Sequence, residues 1–254
     1  MSAGKIARKR LDVTIVERGL AESRQKAQAM ILAGEVVVDG QRAEKAGLNV
    51  AESSRVEVRS RVQKYVSRGG FKLEGALEEF LVSAQGKICL DVGSSTGGFT
   101  DCLLQNGAVK VYAVDVSTDQ LAWKLREDPR VIRIEKNARS LKAEDVAERV
   151  ALVVADVSFI SVNKVLPGAV ACAESGADFL ILVKPQFELQ REEIGKGGIV
   201  RDAALHEKAV ASVRAAAEAL GLQCLGTAPS KLAGMEGNQE YFLHARKAAA
   251  VESR

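Results

Sequence analysis

The fold of this 254-residue chain is decided by one run, Leu90-Asp91-Val92-Gly93-Ser94-Ser95-Thr96-Gly97-Gly98-Phe99-Thr100. An apolar strand is predicted to end there in a glycine-rich turn, and a helix is expected to follow the turn. Glycines allow positive φ angles and a close approach of the backbone to a ligand, and the first N–H groups of a helix are free to donate. The run therefore predicts a turn that binds a cofactor through its backbone, with an ordinary βα turn as the alternative.

A second apolar stretch supports the cofactor interpretation. Residues 111–116 are predicted as a strand that places Asp115 at its carboxyl end, roughly twenty residues after Gly93, the spacing of a nucleotide-type site. An acidic residue at that position can bind both hydroxyls of a ribose. The turn lacks the G-x-G-x-x-G spelling of dinucleotide-binding folds and resembles the first motif of S-adenosylmethionine-dependent methyltransferases. Methyl transfer is therefore favoured over hydride transfer.

The chain alternates strand and helix patterns beyond residue 70. A helix is predicted over residues 71–81, and strands are predicted near residues 87–92, 111–116, 131–134, 151–156, 179–184, 224–228 and 240–245. This alternation predicts a Rossmann-like α/β fold, with a mostly parallel sheet covered by helices on both faces. Only about a dozen residues separate the last two strands, too few for a crossover helix, so the last strand is expected to run antiparallel.

The N-terminal quarter of the chain has a different composition. Residues 1–64 carry 13 Lys and Arg against 8 Asp and Glu, whereas the whole chain has a formal net charge of only +3. Helices are predicted over 10–20 and 23–33, with Ser23 as an N-cap, and short strands between residues 35 and 58. The basic excess favours a polyanionic partner, with a merely soluble basic surface as the alternative.

The predicted domain boundaries follow from a basic, glycine-ended segment, residues 59–70. Its composition is typical of a hinge. We therefore predict an N-terminal domain over 1–64, a linker over 65–70 and a larger domain over 71–254.

The N-terminal pattern resembles the alpha-L RNA-binding motif of ribosomal and RNA-modifying proteins, a small α+β domain. The residues that carry this resemblance are Arg10-Leu11-Asp12, Gly19-Leu20, Ser23-Arg24, Ala27, Ile31, Gly34 and Val36-x-Val38-x-Gly40. The resemblance implies that basic residues of this domain meet RNA, namely Arg10, Arg24 and Lys26. Cations on a rigid helix suit RNA, which is recognised mostly through its backbone and shape. The alternative is that these cations form a solvated helix face.

Four polar residues are candidates for chemistry. Ligands of open α/β sheets bind at the carboxyl ends of the strands, where Asp156 and Lys184 are predicted to lie. A lysine that closes an apolar run is partly desolvated, which lowers its pKa toward that of a usable base. Lys72 on the preceding helix and Glu240 at the start of the last strand complete a Lys-Asp-Lys-Glu set. Taken singly, each is equally well explained as an ordinary surface group.

Nearly the whole chain is similar to the haemolysin A/TlyA family, which joins an alpha-L RNA-binding domain to an FtsJ-like ribose 2′-O-methyltransferase domain. The segments that carry this similarity are 67–73, 91–100, 156–161, 184–188 and 195–202. The resemblance implies a catalytic tetrad of Lys72, Asp156, Lys184 and Glu240, in which Lys184 acts on the ribose hydroxyl and the others orient it and the substrate. Whether the lysines act as a base or hold the phosphate backbone stays open.

The same resemblance implies a cofactor and a substrate. S-adenosylmethionine is the implied cofactor, and the residues expected to bind it are Asp91, Gly93, Ser94, Gly97, Gly98, Phe99, Asp115 and Asn137. Ribosomal RNA, free or in ribosomal subunits, is the implied partner, with cytidine as the target. The two alternatives are a membrane-active haemolysin and an RNA-binding protein with an inactive methyltransferase fold.

Composition also indicates whether to expect a metal site or a membrane segment. The four cysteines are widely scattered and contain no C-x-x-C pair, so no metal site is expected. No apolar run reaches the roughly 20 residues that cross a bilayer, so we expect a cytoplasmic protein with no membrane partner.

Overall fold

The chain divides into two units, Met1–Lys64 and Tyr65–Arg254. The computed structural model describes residues 8–32, 34–58, 64–195, 197–234 and 237–248. None of the helices in these ranges has the length and apolar character needed to span a membrane.

The described residues of the first unit form two helices and five short strands. Its elements are β1 (Arg8–Arg10), α1 (Leu11–Glu17), α2 (Arg24–Leu32), β2 (Val36–Val38), β3 (Gln41–Arg42), β4 (Asn49–Ala51) and β5 (Val56–Val58). The start of α2 is as predicted, because the hydroxyl of Ser23 accepts a hydrogen bond from the backbone N–H of Lys26 at 3.2 Å. Strand β1 was not predicted, since three consecutive exposed cations show no apolar alternation.

Two small antiparallel sheets hold this unit together. One pairs β1 with β4, and the other pairs β2 with both β3 and β5. The connection from β2 to β3 is the expected Asp39-Gly40 turn, whose residues have φ angles of 50° and 84°. Apolar residues from both helices and from the strands fill the core: Leu11, Ile15, Ala27, Ile31, Val36, Ala43 and Val50.

The second unit is an α/β sheet of seven strands. Its helices are α3 (Arg68–Glu79), α4 (Gly98–Gln105), α5 (Trp123–Arg126), α6 (Leu166–Cys172), α7 (Pro185–Glu188) and α8 (Ala203–Ala219). Its strands are β6 (Ile88–Val92), β7 (Lys110–Asp115), β8 (Val131–Glu135), β9 (Val150–Ala155), β10 (Ala173–Val183), β11 (Leu222–Pro229) and β12 (Tyr241–Lys247). They lie in the order β11-β12-β10-β9-β6-β7-β8.

Strand direction in this sheet is as predicted. Strands β8, β7, β6, β9 and β10 are mutually parallel, whereas β12 runs antiparallel to both β10 and β11. The central strands are covered on both sides by two separate apolar clusters, which explains why their sequences are continuous apolar runs. The Rossmann-like prediction with an antiparallel last strand is confirmed.

The strand order reverses between β6 and β9. From β6 the chain builds outward through β7 and β8, and it then returns to place β9 on the other side of β6. A crevice forms at the carboxyl ends of the strands at such a switch point, and ligands bind there. The backbone N–H of Asp156, just after β9, donates to the carbonyl of Val92 at the end of β6, at 2.9 Å.

Strand β10 is longer than predicted. It begins at Ala173 instead of near residue 179, and its pairing with β9 shifts register between Ala173 and Asp178. The intervening residues 174–176 are polar or glycine and exposed, so the apolar pattern alone does not reveal the start of the strand.

The segment 65–70, predicted as a linker, is part of the second unit. Tyr65 is fully buried, and the N–H of Val66 donates to the carboxylate of Asp101 at 2.8 Å. Helix α3 already begins at Arg68. A side chain at Gly70 would collide with the ring of Tyr65, so this glycine serves close packing and not a hinge. The rest of the predicted hinge, residues 59–63, lies outside the described residues.

Candidate functional site

The glycine-rich turn lies at the switch point, between β6 and α4. Gly93 has a φ angle of 88°, and a side chain there would collide with the backbone oxygen of Asp156. Gly97 has a φ angle of 93° and precedes Gly98, the first residue of α4. The turn therefore requires glycine both for its backbone conformation and for the close approach of Gly93 to the backbone of Asp156.

Two buried polar atoms at this turn have no hydrogen-bond partner among the described residues. They are Oδ1 of Asp91, a fully buried residue, and Oγ of Ser94. The other oxygen of Asp91 accepts a hydrogen bond from the hydroxyl of Thr100 at 2.6 Å. Burial raises the pKa of Asp91 to about 7, although the Thr100 hydrogen bond opposes the shift. A polar or cationic ligand would satisfy these atoms, which are costly to leave unpaired.

Asp115 lies beside the same turn, at the carboxyl end of β7. Its Oδ2 accepts a hydrogen bond from the N–H of Ser95 at 2.9 Å, and its Oδ1 accepts a longer one from the N–H of Ser117 at 3.3 Å. The carboxylate therefore fixes the turn, and it lies at the carboxyl edge of the sheet. The next residue, Val116, is 65% exposed, an apolar side chain beside the carboxylate that the sequence analysis did not single out.

Two of the expected cofactor residues have other contacts. Phe99 is buried and its ring stacks on that of Phe242, with centroids 6.1 Å apart, so it packs beneath the turn. Asn137 follows β8 and is exposed, and its side chain accepts a hydrogen bond from the N–H of Arg139 at 3.1 Å. Direct binding by these two side chains remains a prediction.

The proposed tetrad forms two ion pairs. Nζ of Lys72 donates to Oε2 of Glu240 at 2.5 Å, and both residues are buried. Nζ of Lys184 lies 2.5 Å from Oδ1 of Asp156 and donates to the hydroxyl of Ser158 at 2.9 Å. Ser158 is a site residue that sequence reasoning missed, and its position two residues after Asp156 is the signal that indicates it.

Sheet register brings the two ion pairs to the same edge. Val183, the last residue of β10, is opposite Tyr241, the first residue of β12. The residue after β10, Lys184, is therefore at the same level of the sheet as the residue before β12, Glu240. Asp156 follows β9, the parallel neighbour of β10. Glu240, Lys184 and Asp156 therefore alternate in charge along this edge, and Lys72 of α3 pairs with Glu240. The site thus has two cations whose positions are fixed, and it has little net charge.

The predicted RNA-binding cations lie in the first unit. Arg10 ends β1 and Arg24 begins α2, and both donate to the carboxylate of Asp12 at 2.9–3.0 Å. Lys26 is exposed on α2, two residues after Arg24. The structure therefore brings Arg10 and Arg24 together at one point.

Residues 65–247 match the family described as FtsJ-like methyltransferase. This match covers most of the second unit, including the glycine turn and both ion pairs. The chain belongs to the FtsJ-like methyltransferase family. In addition, residues 9–56 match the S4 domain, an RNA-binding domain, so the chain has the two-domain organisation of the haemolysin A/TlyA family.

Relatives of this methyltransferase are similar to it over most of their own length. The chain is 48% identical to the 16S/23S rRNA (cytidine-2′-O)-methyltransferase TlyA of Mycobacterium tuberculosis over 94% of this chain and 90% of that protein. It is 43% identical to Hemolysin A of Brachyspira hyodysenteriae over 92% of this chain and 98% of that protein. A solved structure, "Putative hemolysin from Streptococcus thermophilus", is 40% identical with a TM-score of 0.74, over 98% of this chain and 93% of that chain.

Family membership identifies the cofactor of this methyltransferase as S-adenosylmethionine. That cofactor carries an ammonium group, a sulfonium and the hydroxyls of a ribose. The unpaired oxygens of Asp91 and Ser94 and the carboxylate of Asp115 fit such a ligand. The residues present at the switch point can therefore hold the cofactor.

Proposed function

We propose that this protein methylates the ribose 2′-hydroxyl of cytidine in ribosomal RNA. The observation that carries the proposal is the pair of ion pairs, Lys184–Asp156 and Lys72–Glu240, fixed at the carboxyl edge beside the cofactor turn. The 48% identity to a relative named for this reaction supports the choice of nucleoside and RNA. Ribosomal RNA as the proposed substrate supports a cytoplasmic location.

The cofactor, when bound, supplies an electrophilic methyl group on a sulfonium. In this proposal Asp115 binds the ribose hydroxyls of the cofactor, and Asp91 and Ser94 bind polar groups nearer the turn. Val116 covers the adenine from the side of β7, because it is an exposed apolar residue next to Asp115. Asn137 lies after the next strand and contributes to the same end of the cofactor.

Lys184 acts on the ribose hydroxyl. Its ammonium donates to the hydroxyl of Ser158 and forms an ion pair with Asp156, and an ammonium has three N–H groups, so it can also donate to the 2′-oxygen. This arrangement favours a role as a positioning cation, which stabilises the charge that develops on the oxygen as its proton leaves for solvent. Lys72, held by Glu240, supplies a second fixed cation for the phosphate or ribose of the target nucleotide.

The test is methyl transfer from labelled cofactor to purified small and large ribosomal subunits, followed by digestion of the RNA to nucleosides. We expect 2′-O-methylcytidine from the unaltered protein and no product from Lys184→Ala. A methyl group on a base, or on another nucleoside, would contradict the proposed specificity. Lysis of erythrocytes by the same protein, with no transfer to either subunit, would favour the haemolysin alternative.

A further inference from the structure

A single buried carboxylate organises the cations of the S4 unit. Asp12, in the first turn of α1, is completely buried, whereas the side chains of Arg10 and Arg24 are 48% and 54% exposed. Arg10 donates to Asp12 through Nε and Nη2, each at 3.0 Å. Arg24 donates through Nε at 2.9 Å, and Gln28 donates through Nε2 at 2.8 Å.

These contacts leave the outer donors of both arginines available. A guanidinium has five N–H groups in a planar fork. Within the described part of the chain, Arg10 donates two of them to Asp12 and Arg24 donates only its Nε–H, so both terminal nitrogens of Arg24 remain. Because Nη2 of Arg10 and Nε of Arg24 donate to the same oxygen of Asp12, the two guanidinium groups lie side by side. A fork of this kind matches the geometry of a phosphate.

We propose that Asp12 is a positioning residue, which holds Arg10 and Arg24 as one rigid clamp for a phosphate of the RNA backbone. The inference rests on the proposed RNA-binding role of these two arginines. Long side chains lose rotamer freedom when they bind, and this loss reduces affinity. Asp12 orders both arginine side chains before RNA binds. Because the two guanidinium groups share a single carboxylate, the group of three keeps a net positive charge.

The direction in which one substitution changes RNA affinity separates this inference from a purely electrostatic explanation. Asp12→Asn removes a negative charge from a basic unit, so electrostatics alone would tighten RNA binding. The clamp predicts weaker binding, by about threefold, because two guanidinium groups without the shared carboxylate repel each other and become mobile. Binding is measured by filter retention of deproteinised 23S ribosomal RNA on the full chain at one salt concentration. Glu44→Gln, an exposed residue of the same unit, is the control with the same charge change, and its affinity should stay equal or rise slightly.

A second pair of variants covers the case in which Asp12→Asn fails to fold. Arg10→Lys and Arg24→Lys keep the charge on exposed residues, but an ammonium cannot serve Asp12 and a phosphate in one planar fork. Each should weaken binding of the same RNA. Thermal unfolding of every variant verifies that the unit is intact. Affinity unchanged in all three variants would overturn the clamp.

A double-variant background excludes a merely structural effect. In Arg10→Ala/Arg24→Ala, the further change Asp12→Asn should cause no additional loss of RNA affinity, because no clamp is left to disturb. An equal loss in both backgrounds would assign Asp12 to folding alone and overturn the inference. If Arg10→Ala and Arg24→Ala themselves leave RNA binding unchanged, the proposed role of this surface fails. If only these two weaken binding, the surface stands and the clamp is wrong.

Discussion

In the S4 unit two arginines share one carboxylate, whereas in the methyltransferase unit each lysine of the site has a carboxylate of its own. Sharing leaves an excess of positive charge and outward donors around Asp12, an arrangement suited to binding a polyanion. One-to-one pairing at Lys184 and Lys72 cancels the charge but fixes each ammonium within 2.5 Å of its partner. The difference indicates that the first unit supplies affinity and the second supplies position at the reacting atoms.

The largest effect is expected at Lys184. Lys184→Ala should abolish methyl transfer, because it removes the cation that holds the ribose oxygen, and should leave cofactor and RNA binding nearly unchanged. Lys184→Arg separates the possible roles, since arginine keeps the charge but cannot deprotonate in proteins. Single-turnover transfer to ribosomal subunits measures both variants. Substantial activity of the arginine variant supports a positioning cation, whereas a rate that rises with pH in the unaltered enzyme would favour a neutral lysine acting as a base.

Asp115→Ala should weaken S-adenosylmethionine binding by about 1–3 kcal/mol, because charge-assisted hydrogen bonds to the ribose hydroxyls are lost. Calorimetric titration of the full chain gives the affinity. The exposed residue Asp119, in the segment after β7, provides the control: Asp119→Asn should bind normally. Equal losses in both variants would show that general charge, and not ribose recognition, accounts for the change.

Arg24→Ala should weaken binding to ribosomal RNA by about five- to tenfold and make it less sensitive to salt, because one phosphate contact is lost. Cofactor affinity should not change if the first unit supplies only affinity for RNA. Lys26→Ala is expected to have a smaller effect, since Lys26 is outside the Asp12 contacts described above. If Arg24→Ala lost methyl transfer but bound RNA normally, the first unit would not serve only for RNA affinity, and the proposed difference between the two units would be wrong.

The smallest effect concerns Asp91 and pH. Its pKa of about 7 lies above that of an ordinary aspartate, so the folded protein holds a proton that the unfolded chain releases from about pH 4 upward. Asp91 therefore destabilises the fold increasingly as pH rises from about 4 to 7. Asp91→Asn should raise the free energy of unfolding at pH 8, because it removes a carboxyl group whose charged form is disfavoured by burial, with little gain at pH 4. Thermal unfolding without cofactor measures the gain, and a pH-independent difference would contradict it.

The strands of the large sheet could be predicted from the sequence, because the central strands are continuous apolar runs that end in polar residues. It also indicated Lys184, Asp156 and Glu240 as neighbours, since all three adjoin strand ends at one edge. It did not reveal Asp12 as a centre of hydrogen bonding. In the sequence Asp12 is an ordinary first-turn residue, and its partner Gln28 lies 16 positions away. The sequence shows how many basic residues the first unit contains, but it does not show which carboxylate they bind.

The linker was predicted wrongly for a related reason. Two adjacent glycines after a basic segment are typical of a hinge, but Gly70 is required by the ring of Tyr65, a contact that only the folded chain displays. The pairing of Ser158 with Lys184 likewise depends on how the loop after β9 turns back toward β10. Sequence patterns therefore could not predict the contacts that short loops make with other segments of the chain.

Strand β12 lies between β10 and β11, although it is the last strand along the chain. It also follows directly after Glu240, the partner of Lys72. During synthesis, the first six strands of the sheet therefore leave the ribosome with a gap between β10 and the edge strand β11. The carboxylate that holds Lys72 leaves the ribosome together with β12, the strand that fills this gap. The order of translation thus keeps the nascent enzyme without its complete site until the whole sheet can close.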